Sequence, residues 1–304
     1  MLCYRRAGNG APLLLIHGWG VTYAIWQNLA PLLTPYCQLI MIELPGVGGS
    51  PEVDPDKPYY QACAEAIEEV RQELGIEQWS LLAYSSGTRA AEAYLQCYPQ
   101  SILQAVFLCP IYLQEIWAFL LGLLDTPPLQ TLNHWLLSDW RLYSLIRAFG
   151  FNWKRHTYTH AWKNEIELQS LNILVRSLCE MPGNGGAPFE LPAVPTLFIW
   201  GRYDALVRRP RRPRPNDVMI PADHSAPMLA APSVAEVVIP FLTEGKLVSS
   251  TTPQKRRLRF QRVREKSTAI SKARTRARLL KLLVRIDRGR FLRRIRKRLL
   301  KKYK

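Results

Sequence analysis

Trp79-Ser80-Leu81-Leu82-Ala83-Tyr84-Ser85-Ser86-Gly87 is the stretch that decides how this chain folds. Residues 79–83 are a short, mostly apolar run that reads as a strand. Residues 87–98 are rich in alanine and stop before Pro99, which predicts a helix. Ser85 therefore stands between a strand and a helix. Its small flanks, Ala83 and Gly87, permit a strained turn that lifts the hydroxyl out of the end of a sheet. The N–H of Ser86 would open the helix, where the dipole favours an oxyanion. Taken alone, residues 83–87 fit an ordinary serine in a glycine-containing turn equally well.

Three further motifs tip the balance. His17-Gly18-Trp19 follows the apolar run 13–16, Gly201-Arg202-Tyr203-Asp204 follows 196–200, and Asp223-His224 follows 217–220. A carboxylate at Asp204 can accept a hydrogen bond from a histidine ring and fix its tautomer, and His224 can act as base toward a serine at another strand's end. The N–H of Trp19 suits a second oxyanion donor, while the His17 ring reads as a brace for its own loop. A loop aspartate and a loop histidine are each common. Together, in the order Ser85, Asp204, His224 and each after a strand, they read as nucleophile, acid and base.

Around these motifs the chain alternates strand and helix. Residues 39–42 and 103–109 read as further strands. Residues 59–74 have helical spacing through Ala62, Ala66, Ile67 and Val70, with Gly75 as the stop, and 234–242 reads as a last helix. That alternation implies an α/β fold, a mostly parallel sheet with helices on both faces. Between 111 and 190 no strand is legible. Helical runs broken at Pro127-Pro128 and Pro182-Gly183 are dense in aromatics such as Trp117, Trp135, Trp140 and Trp153. The expected organisation is a core of residues 1–110 and 191–246, a helical insertion at 111–190 and a tail at 247–304.

The charge is as unevenly distributed as the pattern. The whole chain has 41 Lys and Arg against 24 Asp and Glu, for a net charge of +17. Residues 255–304 hold 23 of those bases and only Glu265 and Asp287 of the acids, so the tail is about +21 and the rest about −4. The basicity thus says nothing about the body. Residues 247–272 read as disordered. From Leu279 onward apolar residues recur at 279, 282, 283, 286, 292, 295 and 299 among Arg and Lys, a basic amphipathic helix interrupted at Gly289. It can lie on anionic lipid, track nucleic-acid phosphates, or be a solvated tail with no dedicated role. A second basic run, Arg208-Arg209-Pro210-Arg211-Arg212-Pro213-Arg214-Pro215, is either a solvated loop or an anion clamp near the site.

Six scattered cysteines with no CxxC predict reduced, buried thiols in a cytoplasmic protein. Residues 13–16 are too short for the apolar region of a signal peptide, and no run reaches membrane-spanning length. His156 and His160 are four apart, but no glutamate intervenes and no third ligand is apparent. Neither a metal nor a cofactor is expected, and the oligomeric state is not legible.

Over residues 1–244 the chain resembles the α/β-hydrolase fold family. The matching features are His17-Gly18-Trp19-Gly20, residues 43–50, the turn around Ser85, Gly201-x-x-Asp204 and His224-x-x-Pro227. The first tetrapeptide is similar to that of the pimeloyl-carrier-protein methyl ester esterases. The resemblance implies Ser85 as nucleophile, Asp204 as acid, His224 as base, Trp19 and Ser86 as oxyanion donors, and a helical cap at 111–190. It implies hydrolysis of a small-molecule carboxylic ester through an acyl-enzyme, with an apolar acyl group suited to the aromatic cap. Dehalogenase and epoxide hydrolase chemistry needs a carboxylate nucleophile, which Ser85 is not. The chain departs from the family at Glu43, Ala83 and Asp223. It also spans only 20 positions from Asp204 to His224, and it begins so near its first buried strand that the family's first edge strand is expected to be missing. If the short interval misplaced His224, the alternative is a noncatalytic hydrolase-fold protein that binds membrane or nucleic acid through its tail.

The charge split generates a prediction. A chain ending at Glu244 is expected to keep its fold and lose salt-sensitive binding to anionic vesicles, each basic residue contributing about 1 kcal/mol near such a surface. Cosedimentation with anionic and neutral vesicles at low and high salt measures this. Full-length protein that ignores vesicles yet binds RNA or DNA tightly would assign the tail to nucleic acid instead.

Overall fold

The computed structural model describes residues 1–111, 168–181, 194–204, 206–207 and 213–245. The expected insertion at 111–190 is thus described only at Ile111 and 168–181. The tail, His156, His160 and Arg208 to Arg212 lie outside the described residues.

Seven strands form one sheet: β1 (Tyr4–Ala7), β2 (Ala11–Ile16), β3 (Cys37–Ile42), β4 (Trp79–Tyr84), β5 (Ile102–Leu108), β6 (Thr196–Gly201) and β7 (Asp217–Ile220). Their spatial order is β1-β3-β2-β4-β5-β6-β7. Every pairing is parallel except that of β1, which runs antiparallel to β3 with Tyr4 opposite Ile42. An edge strand is therefore present before the first buried strand, against the expectation from the sequence. Its four residues, Tyr-Arg-Arg-Ala, alternate neither in polarity nor in burial. Backbone pairing and not an apolar face holds it, so hydrophobic periodicity has nothing to detect.

Six α-helices accompany the sheet among the described residues: α1 (Ala30–Leu33), α2 (Tyr59–Glu73), α3 (Gly87–Cys97), α4 (Leu171–Cys179), α5 (Ala226–Leu229) and α6 (Ala231–Glu244). The central strands are apolar throughout because both faces are covered. On one face Leu14, Ile16, Leu81, Ala83 and Phe107 pack against Ile67, Val70, Ala91 and Tyr94 of α2 and α3. On the other, Leu13, Leu15, Leu82, Val106 and Ile199 pack against Leu29, Leu33, Val234, Val238 and Phe241. Successive strand residues alternate between the two cores, as the period of two requires. Glu68 of α2 is buried. It accepts hydrogen bonds from Arg71 and from the Tyr94 hydroxyl of α3 at 2.8 Å, which ties the two helices together. The Arg71 guanidinium first of all, against the cost of burial, holds its carboxyl below the usual value.

All six cysteines are free. Cys37, Cys63 and Cys109 are buried as expected, but Cys3 precedes the edge strand and Cys97 ends α3, and both are exposed. Arg214 is the one described arginine of the Arg/Pro run. It pairs with Asp217 at 3.2 Å and lies 3.5 Å over the Phe198 ring, turned toward the fold. No helix among the described residues is long and apolar enough to cross a membrane.

Phe107 of β5 is fully buried and stacks on Phe198 of β6, with ring centroids 5.2 Å apart. Phe107→Ala is expected to cost about 3–5 kcal/mol of unfolding free energy. Urea denaturation checks this; a loss below about 1 kcal/mol would mean that the strands repack around the gap.

Candidate active site

Parallel strands point their C-terminal ends the same way, so β2, β4, β5, β6 and β7 deliver their following loops to one edge of the sheet. Ser85 follows β4 directly and Gly87 opens α3. The turn between them is sharp: Ser85 has φ +53°, a left-handed conformation that costs a serine about 1–2 kcal/mol. Hydrogen bonds hold it there. Its N–H donates to Leu108 O at 3.0 Å, and its carbonyl accepts from the Thr88 hydroxyl and amide. Gly87 is required sterically, because a Cβ there would lie 2.2 Å from the carbonyl oxygen of His17 at the exit of β2.

Asp204 follows β6 and His224 follows β7, with 20 positions between them. Gly201 lets the two loops meet, since a Cβ on it would lie 2.7 Å from Ala222 O. The Tyr203 amide donates to that same carbonyl at 2.9 Å. Across the short interval the His224 ring lies between Asp204 and Ser85. His224 Nδ1 lies 2.7 Å from Asp204 Oδ2, and Nε2 lies 2.9 Å from Ser85 Oγ. An ionised carboxylate only accepts, so Nδ1 carries the ring proton and Nε2 is free to accept from the Ser85 hydroxyl. Asp204 Oδ1 accepts from the amides of Leu206 and Val207 at 2.8 and 2.9 Å. Burial raises the Asp204 pKa, but the His224 ring and those two amides outweigh it and hold the carboxyl below its usual value. The acid therefore stays charged at neutral pH.

The two expected oxyanion donors lie beside this chain of contacts. Ser86 is the N-cap of α3 and Trp19 follows Gly18 at the exit of β2. Gly18 presses on the serine turn, for a Cβ there would lie 2.9 Å from Ser85 Cβ. Among the described residues no acceptor is bonded to the amide of Trp19 or Ser86. His17 acts as a brace. Its Nδ1 donates to Gly18 O at 2.8 Å and its Nε2 accepts from the Leu44 amide at 3.0 Å, joining the loops after β2 and β3. Burial pushes its pKa down from 6.5 to about 4, with the Gly18 bond opposing, so the ring is neutral in the fold.

Three features of the site escape sequence reasoning. Cys109, fully buried after β5, shares the left-handed region with Ser85 at φ +47°. Nothing in Leu108-Cys109-Pro110 signals this, since a following proline disfavours only the right-handed helical region. Its thiol and the ligand atoms of Asp204 and His224 all fall within 4.8 Å of one another. Asp204 and His224 nonetheless touch at 2.7 Å, closer than the roughly 3.3 Å between two N/O ligands of one tetrahedral zinc ion. The group is arranged as a hydrogen-bonded relay and not as a metal cage. Tyr84 donates its hydroxyl to His224 O at 2.6 Å. Finally, α4 and the residues before it are stitched to the core loops. The Trp19 indole donates to Leu174 O, the Gly48 amide to Leu168 O, and Val47 pairs with Gln169, while Ile173 fills the space where Gly46 lacks a side chain.

A profile describing the α/β-hydrolase fold matches residues 11–136. A thermophilic esterase from Thermogutta terrifontis superposes with a TM-score of 0.64 at 19% identity, over 79% of this chain and 92% of its own. The enol-lactonase of Burkholderia xenovorans superposes with a TM-score of 0.65 at 15% identity, over 80% and 96%. The chain has the α/β-hydrolase fold. Sequence relatives match this hydrolase-fold chain over shorter stretches. A pimeloyl-[acyl-carrier protein] methyl ester esterase of Photobacterium profundum is 41% identical over 73 residues, 24% of this chain and 25% of that protein. A fluoroacetate dehalogenase of Burkholderia sp is 32% identical over 105 residues, 33% and 34% of the two. The matched stretches thus span between a quarter and about a third of those relatives.

The His17 brace predicts a pH dependence of stability. The unfolded chain binds a proton at His17 below about 6.5 and the folded chain only below about 4. The stability due to the neutral ring is whole above 6.5 and lost as pH falls toward 4, on the order of 3 kcal/mol. His17→Gln is expected to be less stable at pH 7 and to have a shallower fall between pH 6.5 and 4, by close to one proton. Urea denaturation across that range measures the slope; an unchanged slope would show that His17 does not titrate this way.

Proposed function

We propose that this chain is a serine hydrolase of carboxylic esters, working through a Ser85–His224–Asp204 triad and an acyl-enzyme. The observation that carries the reading is the continuous hydrogen-bonded line from Ser85 Oγ through the His224 ring to Asp204, at 2.9 and 2.7 Å, with the serine on a strained strand-to-helix turn. Ser85 Oγ attacks the ester carbonyl carbon while His224 Nε2 takes its proton. The oxyanion that forms turns toward the amides of Trp19 and Ser86, whose positive ends need no reorganisation to meet it. Collapse breaks the ester C–O bond, and His224 returns the proton to the departing alkoxide. Water then attacks the acyl carbon, His224 takes a proton from it, and the acid leaves as Ser85 regains its hydrogen.

The names of the matched relatives support an ester, because several are methyl ester esterases. Other proteins of the fold are named as dehalogenase or epoxide hydrolase. A serine at the turn argues against those reactions here, since they call for a carboxylate nucleophile. The acyl group is apolar in this reading, selected by a cap at 111–190 whose composition is rich in tryptophan. The basic tail serves attachment, to an anionic membrane surface or to nucleic acid, apart from the chemistry. The noncatalytic alternative needed a misplaced base, and the 2.9 Å contact gives it no support.

Ser85→Ala is expected to reduce hydrolysis of activated esters by roughly 10³-fold or more without unfolding the protein. A fluorophosphonate probe is expected to label the wild type at Ser85, read by peptide mass spectrometry. Full activity in Ser85→Ala together with loss in Ser86→Ala would move the nucleophile by one residue. No labelling at either serine would leave the noncatalytic reading in its place.

A further inference from the structure

Tyr84 is the last residue of β4, one position before the proposed nucleophile. Its side chain is buried and confined on three sides. Trp26 meets it edge-on with centroids 6.3 Å apart. The His224 ring lies 5.4 Å away, tilted by 40°. Gly18 leaves it room, since a Cβ there would come within 3.2 Å of Tyr84 Cδ1. From this fixed ring the hydroxyl donates to the backbone carbonyl of His224 at 2.6 Å. Burial first, then the neighbouring Cys109, Asp204 and Asp223, push the phenol well above its ordinary pKa, so it is a donor at neutral pH.

Two adjacent residues of one rigid turn thus grip one residue of the opposite loop. Ser85 meets the His224 ring and Tyr84 meets the His224 main chain. The loop that carries His224 is tied to the loop after β6 by the Tyr203 amide at Ala222 O, and the His224 carbonyl itself is tied by the Tyr84 hydroxyl. β7 ends at Ile220, the Ser225 amide folds back onto Asp223, and α5 begins at Ala226. The bonds of the ring to Asp204 and Ser85 set its direction only for a given position of the His224 main chain, and displacement of that main chain carries the ring with it. A held carbonyl fixes the main chain from which the ring projects. Holding reactive groups at contact distance is worth a large factor, and a misplacement near 1 Å costs about 10²-fold.

We infer that Tyr84 is a positioning residue for the base, its hydroxyl fixing the main chain of His224 so that Nε2 stays within hydrogen-bond reach of Ser85. The inference rests on the reading of Ser85 and His224 as nucleophile and base. Tyr84 touches no substrate atom in it and moves no proton. It acts through His224.

The test uses the full chain as wild type, Tyr84→Phe, Tyr84→Leu and Ser85→Ala. Each is measured for kcat and KM on a p-nitrophenyl ester, for the rate of fluorophosphonate labelling, and for Tm. Tyr84→Phe removes one oxygen and leaves the ring. The expected result is a kcat lowered between about 10- and 100-fold with KM unchanged, and labelling slowed by the same factor. Tyr84→Leu is expected to lose no more kcat than Tyr84→Phe while losing more Tm, because the ring serves packing and the hydroxyl serves position. A lowered Tm with wild-type kcat and labelling in Tyr84→Phe would overturn the inference and leave Tyr84 a packing residue. Labelling that persists in Ser85→Ala would overturn the triad reading itself, and the inference with it. Inert Ser85→Ala beside wild-type-fast Tyr84→Phe would sink the inference alone.

Discussion

A van der Waals exclusion organises this molecule: α3 begins so close to the exit of β2 that only hydrogen fits between the Gly87 Cα and the carbonyl of His17. The chain must leave β4, reverse within two residues and enter the helix against that carbonyl. Ser85 takes up the reversal with a positive φ. The same closeness presses Gly18 onto Ser85. Serine turn, helix terminus and β2 loop are thus one packed unit. The strain is carried by the bond that the Ser85 amide donates to Leu108 O, by those that Thr88 donates to the Ser85 carbonyl, and by the two cores beneath.

Asp204 and His224 come from the other half of the sheet and obey a second close approach, that of Gly201 to the carbonyls of Ala222 and Asp223. Twenty residues suffice because β6 and β7 are adjacent and parallel, so their ends already lie side by side. The hydrogen bonds of Tyr203 and Arg202 to carbonyls after and within β7 zip the two loops together. Asp204 spends one carboxylate oxygen on the local amides of Leu206 and Val207 and the other on His224. That division fixes the carboxylate plane before the ring arrives.

The central strands were legible because an unbroken apolar run such as 13–16 or 39–42 has few other uses. The edge strand 217–220 has the bounds read for it although it opens on Asp217. That Ser85, Asp204 and His224 each follow a strand was legible from the same runs. β1 was not, since its partner is a backbone and only its end residues, Tyr4 and Ala7, pack partly on the cores. Nor was the tie from Tyr84 to His224, because an aromatic at a strand end reads as core whether or not its hydroxyl has a partner. Cys109 was hidden for a different reason: its conformation follows from tertiary closure around Asp204, and no local preference announces it. The docking of α4 depends on a missing side chain at Gly46 being matched by Ile173 more than a hundred residues later. Pairings of that kind have no signature in a single sequence.

The Trp19 indole donates to Leu174 O, so one residue of the loop after β2 is tied to the segment 168–181. A seam of this kind limits how that segment can change. A substituted segment is accommodated only if it brings a main-chain acceptor to the height of Leu174 and a branched side chain over Gly46. The core loops thus dictate the sequence they will accept at 168–181, whatever precedes it.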